Sequence, residues 1–191
     1  MKPLTIKNIP NLLSLLRLLL AVPIFILIFR EDYGAVLWVV FIAGMSDGID
    51  GWLARKLDAI SYFGAVMDPL CDKVLLLSTY IALVLVGLLP WWVIFLIALR
   101  DVIIVAGGVA YYWQFGRYTM QPSLLGKATT VVQIVFALML LTQQIYPLFS
   151  KLTMDIGLGG VILTIFLSGG QYVYIWAKKA RQMRAKAKQQ K

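Results

Sequence analysis

The chain contains no histidine and one cysteine, Cys71. Without histidine there is no Ser-His-Asp or Cys-His nucleophile pair, no histidine-ligated haem and no zinc site built on histidine. A lone cysteine excludes an intrachain disulfide and a cysteine zinc cluster. A metal bound by such a chain is held by oxygen, which points to Mg²⁺, Mn²⁺ or Ca²⁺. Charge is also scarce. Only 14% of the 191 residues are Asp, Glu, Lys or Arg, where a soluble domain carries roughly a quarter. Carboxylates are the scarcest, nine against 18 basic residues, for a net charge of +9.

What fills the chain is apolar. Hydrophobic residues make up 61% of it and the mean hydropathy is +0.83, so its outer surface as well as its core is suited to lipid. Six apolar segments, each near the ~20 residues that a bilayer requires, cover about Asn11–Phe29, Gly34–Leu57, Ser61–Val86, Pro90–Trp113, Leu124–Tyr146 and Met154–Ala177. The connections are short, with no soluble domain, low-complexity linker or clear internal repeat. The opening has the outline of a signal peptide, but its apolar run carries Arg17 and lacks a small-x-small cleavage pattern. It is read as a retained first helix.

Lysine and arginine set the expected orientation. Lys2, Lys7, Arg55, Lys56, Arg117, Lys127 and the tail from Lys178 to Lys191 fall on one side. Arg30 and Lys151, offset by Glu31, Asp32 and Asp155, fall on the other. Six spans then place both termini in the cytoplasm. The expected fold is an all-α integral membrane protein, with one six-helix membrane domain over residues 1–177 and a basic cytoplasmic tail over residues 178–191. The tail follows an apolar segment directly, which fits contact with anionic lipid rather than nucleic acid.

Against this background the placement of four carboxylates is informative. Asp47 and Asp50 are spaced i, i+3 at the end of the second segment, and Asp68 and Asp72 are spaced i, i+4 at the start of the third. Each pair shares one face of a helix. Asp47 precedes Arg55 by roughly 12 Å of helix, which puts the group slightly inside the cytoplasmic boundary. One intramembrane aspartate is readily explained as a partner for Arg17, Lys73 or Arg100. Four are harder to explain so, because each costs at least ~2.5 kcal/mol at mid-helix. Converging carboxylates either protonate or bind cations, and four oxygen ligand groups suit two divalent ions. Gly51 and Ala54 allow close approach of a ligand or of a neighbouring helix. Arg55 offers a fork for phosphate or an anchor on the cytoplasmic side. A cation transporter would also use such carboxylates, but its ligands belong near the bilayer midplane in two matching halves, and no second half is visible.

The pattern Asp47-x-x-Asp50-Gly51-x-x-Ala54-Arg55, eight residues, Gly64-x-x-x-Asp68-x-x-x-Asp72 resembles the signature of the CDP-alcohol phosphotransferase (CDP-alcohol phosphatidyltransferase) family, and every fixed position is present. Softer matches, "NIPNLLSLLRLLLAVP" from Asn8, "WWVIFLIALRDVII", "PSLLGKATTVVQ" and "SGGQY", are similar to the bacterial phosphatidylglycerophosphate synthase branch. The resemblance implies transfer of a phosphatidyl group from CDP-diacylglycerol to an alcohol, with CMP released. It implies two divalent cations, Mg²⁺ or Mn²⁺, held by Asp47, Asp50, Asp68 and Asp72, with Asp72 also the general base. Gly51, Ala54, Arg55, Gly64 and Asn11 would line the CDP pocket. It further implies a homodimer in a bacterial inner membrane, with the active site facing the cytoplasm.

The acceptor is the open position. If it carries a phosphate, as glycerol 3-phosphate does, Arg100, Arg117, Ser123 and Lys127 are the expected clamps. The competing reading makes Arg100 a structural partner of Asp101 and Arg117 an anchor. Many glycerophosphate-using relatives carry a further arginine after the Arg100 position, where this chain reads "VAGGVAYYWQ". That tract also resembles the CDP-diacylglycerol-dependent cardiolipin synthases, whose acceptor is phosphatidylglycerol.

Overall fold

A computed structural model describes the backbone of residues 9–56, 62–115 and 123–189, and the side chains of 18–45, 71–110, 113, 123–178 and 181. The described residues form six α-helices: α1 Ile9–Phe29, α2 Tyr33–Lys56, α3 Tyr62–Leu85, α4 Trp91–Phe115, α5 Leu124–Ile145 and α6 Lys151–Gln189. One helix stands at each expected apolar segment. Among the described residues, Trp91–Ala110, Leu124–Ile145 and Lys151–Lys178 are long and apolar enough to cross a bilayer, and Leu18–Phe29 and Tyr33–Met45 are shorter apolar stretches. Large apolar side chains such as Trp38, Phe41, Trp91, Leu124 and Phe166 point outward. An outer surface of this kind is stable in hydrocarbon and not in water.

Local chemistry sets the helix ends. Asp32 caps α2 by accepting from the Ala35 amide at 3.1 Å, and Ser123 caps α5 by accepting from the Gly126 amide at 3.0 Å. Ser150 caps α6, accepting from the Thr153 amide at 3.2 Å. Each side chain satisfies one of the amides that a helix start leaves unpaired. At the other ends, α1 and α3 close with the same left-handed turn. Asp32 donates to the Leu27 carbonyl and Glu31 to that of Ile28, while Leu88 donates to Leu83 and Gly87 to Val84. The turn residue is Gly87 with φ 79° in one case and Glu31 with φ 59° in the other. Glycine is the natural occupant of that position, so Glu31 holds it against a steric preference.

The sixth helix departs most from expectation. It begins three residues before Met154, because Ser150 supplies the cap, and it runs on to Gln189. The basic tail is rich in Ala, Lys, Arg, Gln and Met, all strong helix formers, so the helix has no reason to stop where the apolar run ends.

The chain divides into two compact units. The first comprises Met1–Pro90 and Ala137–Leu148, the second Trp91–Phe136 and Phe149–Lys191. In the first, α1 packs on both α2 and α3. Its core includes the fully buried Ile24, Ile28, Val36, Tyr80 and Leu83.

In the second unit, side-chain pairings fix the helix directions. Arg100 meets Ser168 and Gly107 meets Trp176, so α4 and α6 run parallel. Gly126 lies by Tyr172, Thr129 by Thr164 and Val132 by Gly160, so α5 runs antiparallel to α6. The closest approach is at Gly107, where an added Cβ would stand 2.8 Å from Cδ1 and 2.9 Å from Nε1 of Trp176. Gly107 lies in the tract "VAGGVAYYWQ", and it makes room for an indole. Gly107→Ala is expected to destabilise the protein by about 1–3 kcal/mol through overpacking. A lowered unfolding temperature in detergent, relieved when Trp176→Leu is added, is the outcome that a double-mutant cycle should return.

Candidate active site

The four aspartates lie on two helices of the first unit. Asp47 and Asp50 are on α2, and Asp68 and Asp72 on α3. The helical backbone of both elements puts the members of each pair on one face. Helix α1 touches both carriers. Asp72 is exposed, while its neighbour Cys71 is buried at 3% exposure. Asp72 is also engaged by a partner within the protein. Lys73 is half-buried and likewise partnered, in keeping with a stem packed along the helix.

The side chains of Asp47, Asp50, Asp68, Asn11, Ala54 and Arg55 lie outside the described residues, and Arg117 lies outside them altogether. Gly51 and Ala54 fall on the α2 backbone within one turn of Asp50, and Gly64 on the first turn of α3.

The second unit gathers a different set. Arg100 on α4 is 9% exposed. Its Nη1 donates to Oδ1 of Asp101 at 2.6 Å, and its Nη2 donates to Oγ of Ser168 on α6 at 2.7 Å. The Arg100–Asp101 pair weighed from sequence is therefore formed. It does not exhaust the guanidinium, which has five N–H donors. Nε is buried and has no hydrogen-bond partner among the described residues. Ser123 and Lys127 stand at the start of α5. The Lys127 amide donates to the Ser123 carbonyl at 3.1 Å, and the lysine side chain is exposed. Thus three of the four expected acceptor clamps lie in one unit, around the N-terminus of one helix, where the helix dipole favours an anion.

Sequence reading passed over two members of this cluster. Ser168 holds Arg100, and the Tyr172 hydroxyl accepts from the Ser123 amide at 3.2 Å. The signal was present in "SGGQY", where a serine and a tyrosine recur at i, i+4 within an apolar helix.

The sequence model of CDP-alcohol phosphatidyltransferase matches residues 7–168, which contain all eight motif positions. The chain belongs to the CDP-alcohol phosphatidyltransferase family. A protein of Mycobacterium tuberculosis named putative cardiolipin synthase is 31% identical over 183 residues, covering 93% of this chain and 84% of the relative. Another from that organism, named probable phosphatidylglycerophosphate synthase, is 38% identical over 137 residues, covering 68% and 64%. A CDP-diacylglycerol–glycerol-3-phosphate 3-phosphatidyltransferase of Aquifex aeolicus is 36% identical over 126 residues, covering 65% and 70%. The chain is thus an enzyme of phospholipid biosynthesis that transfers phosphatidyl groups, which sets aside the transport reading.

Proposed function

We propose that this membrane enzyme transfers a phosphatidyl group from CDP-diacylglycerol to glycerol 3-phosphate, giving phosphatidylglycerophosphate and CMP. The observation that carries the reading is the eight-residue motif borne on two helices consecutive in sequence, its aspartates at helical spacing on each. Six spans, cytoplasmic termini, a bacterial inner membrane and a homodimer belong to the same proposal.

The chemistry needs placement and charge compensation more than covalent help. Asp72 accepts the proton of the acceptor hydroxyl. The hydroxyl oxygen bonds to the β-phosphorus, the bond from that phosphorus to the bridging oxygen breaks, and CMP leaves with the electron pair. Asp47, Asp50, Asp68 and Asp72 would hold two divalent cations, which when bound neutralise the pyrophosphate and the departing CMP. The donor set fits: it is all oxygen and is carried on two helices, with the Asp72 side chain exposed. Gly51, Ala54, Gly64 and Asn11 would line the CDP site, and Arg55 would meet phosphate. Arg100, Ser123, Lys127 and Arg117 would receive the acceptor's phosphate.

A second reading has its own support. The relative named putative cardiolipin synthase matches 93% of the chain, more than the relatives named for glycerophosphate transfer. Phosphatidylglycerol is then the acceptor and cardiolipin the product, with the same bonds made and broken. Purified enzyme given CDP-diacylglycerol and Mg²⁺ or Mn²⁺ decides between them. CMP release with glycerol 3-phosphate supports the first reading, release with phosphatidylglycerol alone supports the second, and no release with either removes both.

A further inference from the structure

We propose that Ser168 and Tyr172 of α6 are positioning residues for the acceptor site, holding Arg100 and the first turn of α5 in the arrangement that receives an anion. This rests on the reading that Arg100, Ser123 and Lys127 take the acceptor's phosphate.

Ser168 and Tyr172 are one helical turn apart, so their side chains leave α6 on one face. They reach different targets. Ser168, fully buried, accepts from Arg100 Nη2 at 2.7 Å. Tyr172 accepts from the backbone amide of Ser123 at 3.2 Å. One helix face therefore grips both the cation on α4 and the capped start of α5. A long arginine side chain has many rotamers, and a fixed partner at its tip reduces the freedom lost when an anion binds. Asp101 supplies a second contact at Nη1, 2.6 Å away. With both Nη atoms tied, the plane of the guanidinium is set and the buried, unpartnered Nε is held in one direction.

Gly126 shows how closely these groups converge. A Cβ built there would lie 3.1 Å from Ser123 Oγ, 3.4 Å from Arg100 Nη2 and 3.4 Å from Tyr172 Oη. Polar atoms from α4, α6 and the α5 cap thus crowd one side of a single backbone position. Gly169 makes matching room on α6, its would-be Cβ lying 3.9 Å from Arg100 Cγ. The hydroxyls at 168 and 172 are the only parts of those side chains that reach Arg100 and the cap through the hydrogen bonds described. Removing either leaves most of the packing in place while freeing the group it holds.

The test is steady-state kinetics of the full-length enzyme in lipid nanodiscs, with whichever of the two acceptors supports CMP release. Ser168→Ala and Tyr172→Phe should each raise the acceptor KM about fivefold to tenfold, the worth of one net hydrogen bond, and leave the CDP-diacylglycerol KM unchanged. Ser168→Thr, which keeps the hydroxyl, should restore the acceptor KM. Arg100→Ala serves as the reference and should raise it further. If Arg100→Ala raises the acceptor KM while Ser168→Ala and Tyr172→Phe leave it within about twofold, the positioning role is wrong and the acceptor reading stands. If Arg100→Ala leaves it unchanged, the acceptor reading fails and the positioning role fails with it. An equal rise in both substrates' KM without rescue by threonine would reduce the pair to ordinary packing.

Discussion

Asp72→Asn should lower the rate of CMP release by about a hundredfold to ten-thousandfold, the range that separates a positioned general base from none. The amide is nearly isosteric with the carboxylate, so the helix and the packing of Cys71 in the core are undisturbed. What changes is proton affinity: asparagine cannot accept the hydroxyl proton when the new phosphorus–oxygen bond forms. Donor binding should survive, since Asp47, Asp50 and Asp68 remain for charge compensation and the CDP pocket is drawn from other positions. The two quantities are separable. Turnover is read as CMP release, and donor binding as the rise in unfolding temperature with CDP-diacylglycerol. Activity near the wild-type rate would remove the base assignment. Loss of both turnover and donor binding would make Asp72 chiefly a metal ligand. Asp72 leaves each turnover protonated and must lose that proton before the next one.

The helices were legible because a bilayer imposes one dominant constraint. An apolar run near 20 residues has few alternatives to a helix when no water is present to satisfy its backbone, and six runs gave six helices. The ends were less legible. The start of α6 moved to Lys151 because Ser150 caps it, and its end moved to Gln189 because a basic segment rich in helix formers continues the last turn. Hydropathy is blind to both effects. The turn at Glu31 is a similar case, since a left-handed glutamate carries no sequence signal.

The site divides along the same line. The aspartates stood out because charge is rare in this chain, so four carboxylates at helical spacing could hardly be incidental. Ser168 and Tyr172 did not stand out. Hydroxyls are ordinary in membrane helices, where they bond to carbonyls of the preceding turn, as Thr129 and Thr164 do here. Only the α4–α6 register turns one into the partner of Arg100. Arg100 itself could be read either way from sequence; it pairs with Asp101, and its buried Nε has no hydrogen-bond partner among the described residues.

Chelation should abolish activity, and restoration by metal should report the number of ions. A chain without histidine, whose one cysteine is buried, offers no imidazole and no exposed thiol, so a divalent ion at the aspartates is bound by oxygen and exchanges with EDTA. CMP release is expected to fall to background in EDTA and return with Mg²⁺ or Mn²⁺. Four carboxylates carry more charge than one divalent ion offsets, so direct titration of Mn²⁺, followed by electron paramagnetic resonance, should give about two ions per chain. Asp47→Asn and Asp68→Asn should each weaken that binding and reduce activity by about a hundredfold or more, as loss of a ligand to a clamping metal does. The readouts guard one another. Full activity in EDTA would overturn the metal reading whatever the stoichiometry. One ion per chain, with activity still dependent on it, would leave a metal-assisted reaction and reassign two of the four aspartates to holding Arg55 or the substrate's hydroxyls. Manganese binding that persists in the doubly substituted Asp47→Asn, Asp68→Asn protein would place the ions elsewhere and separate the motif from the metal altogether.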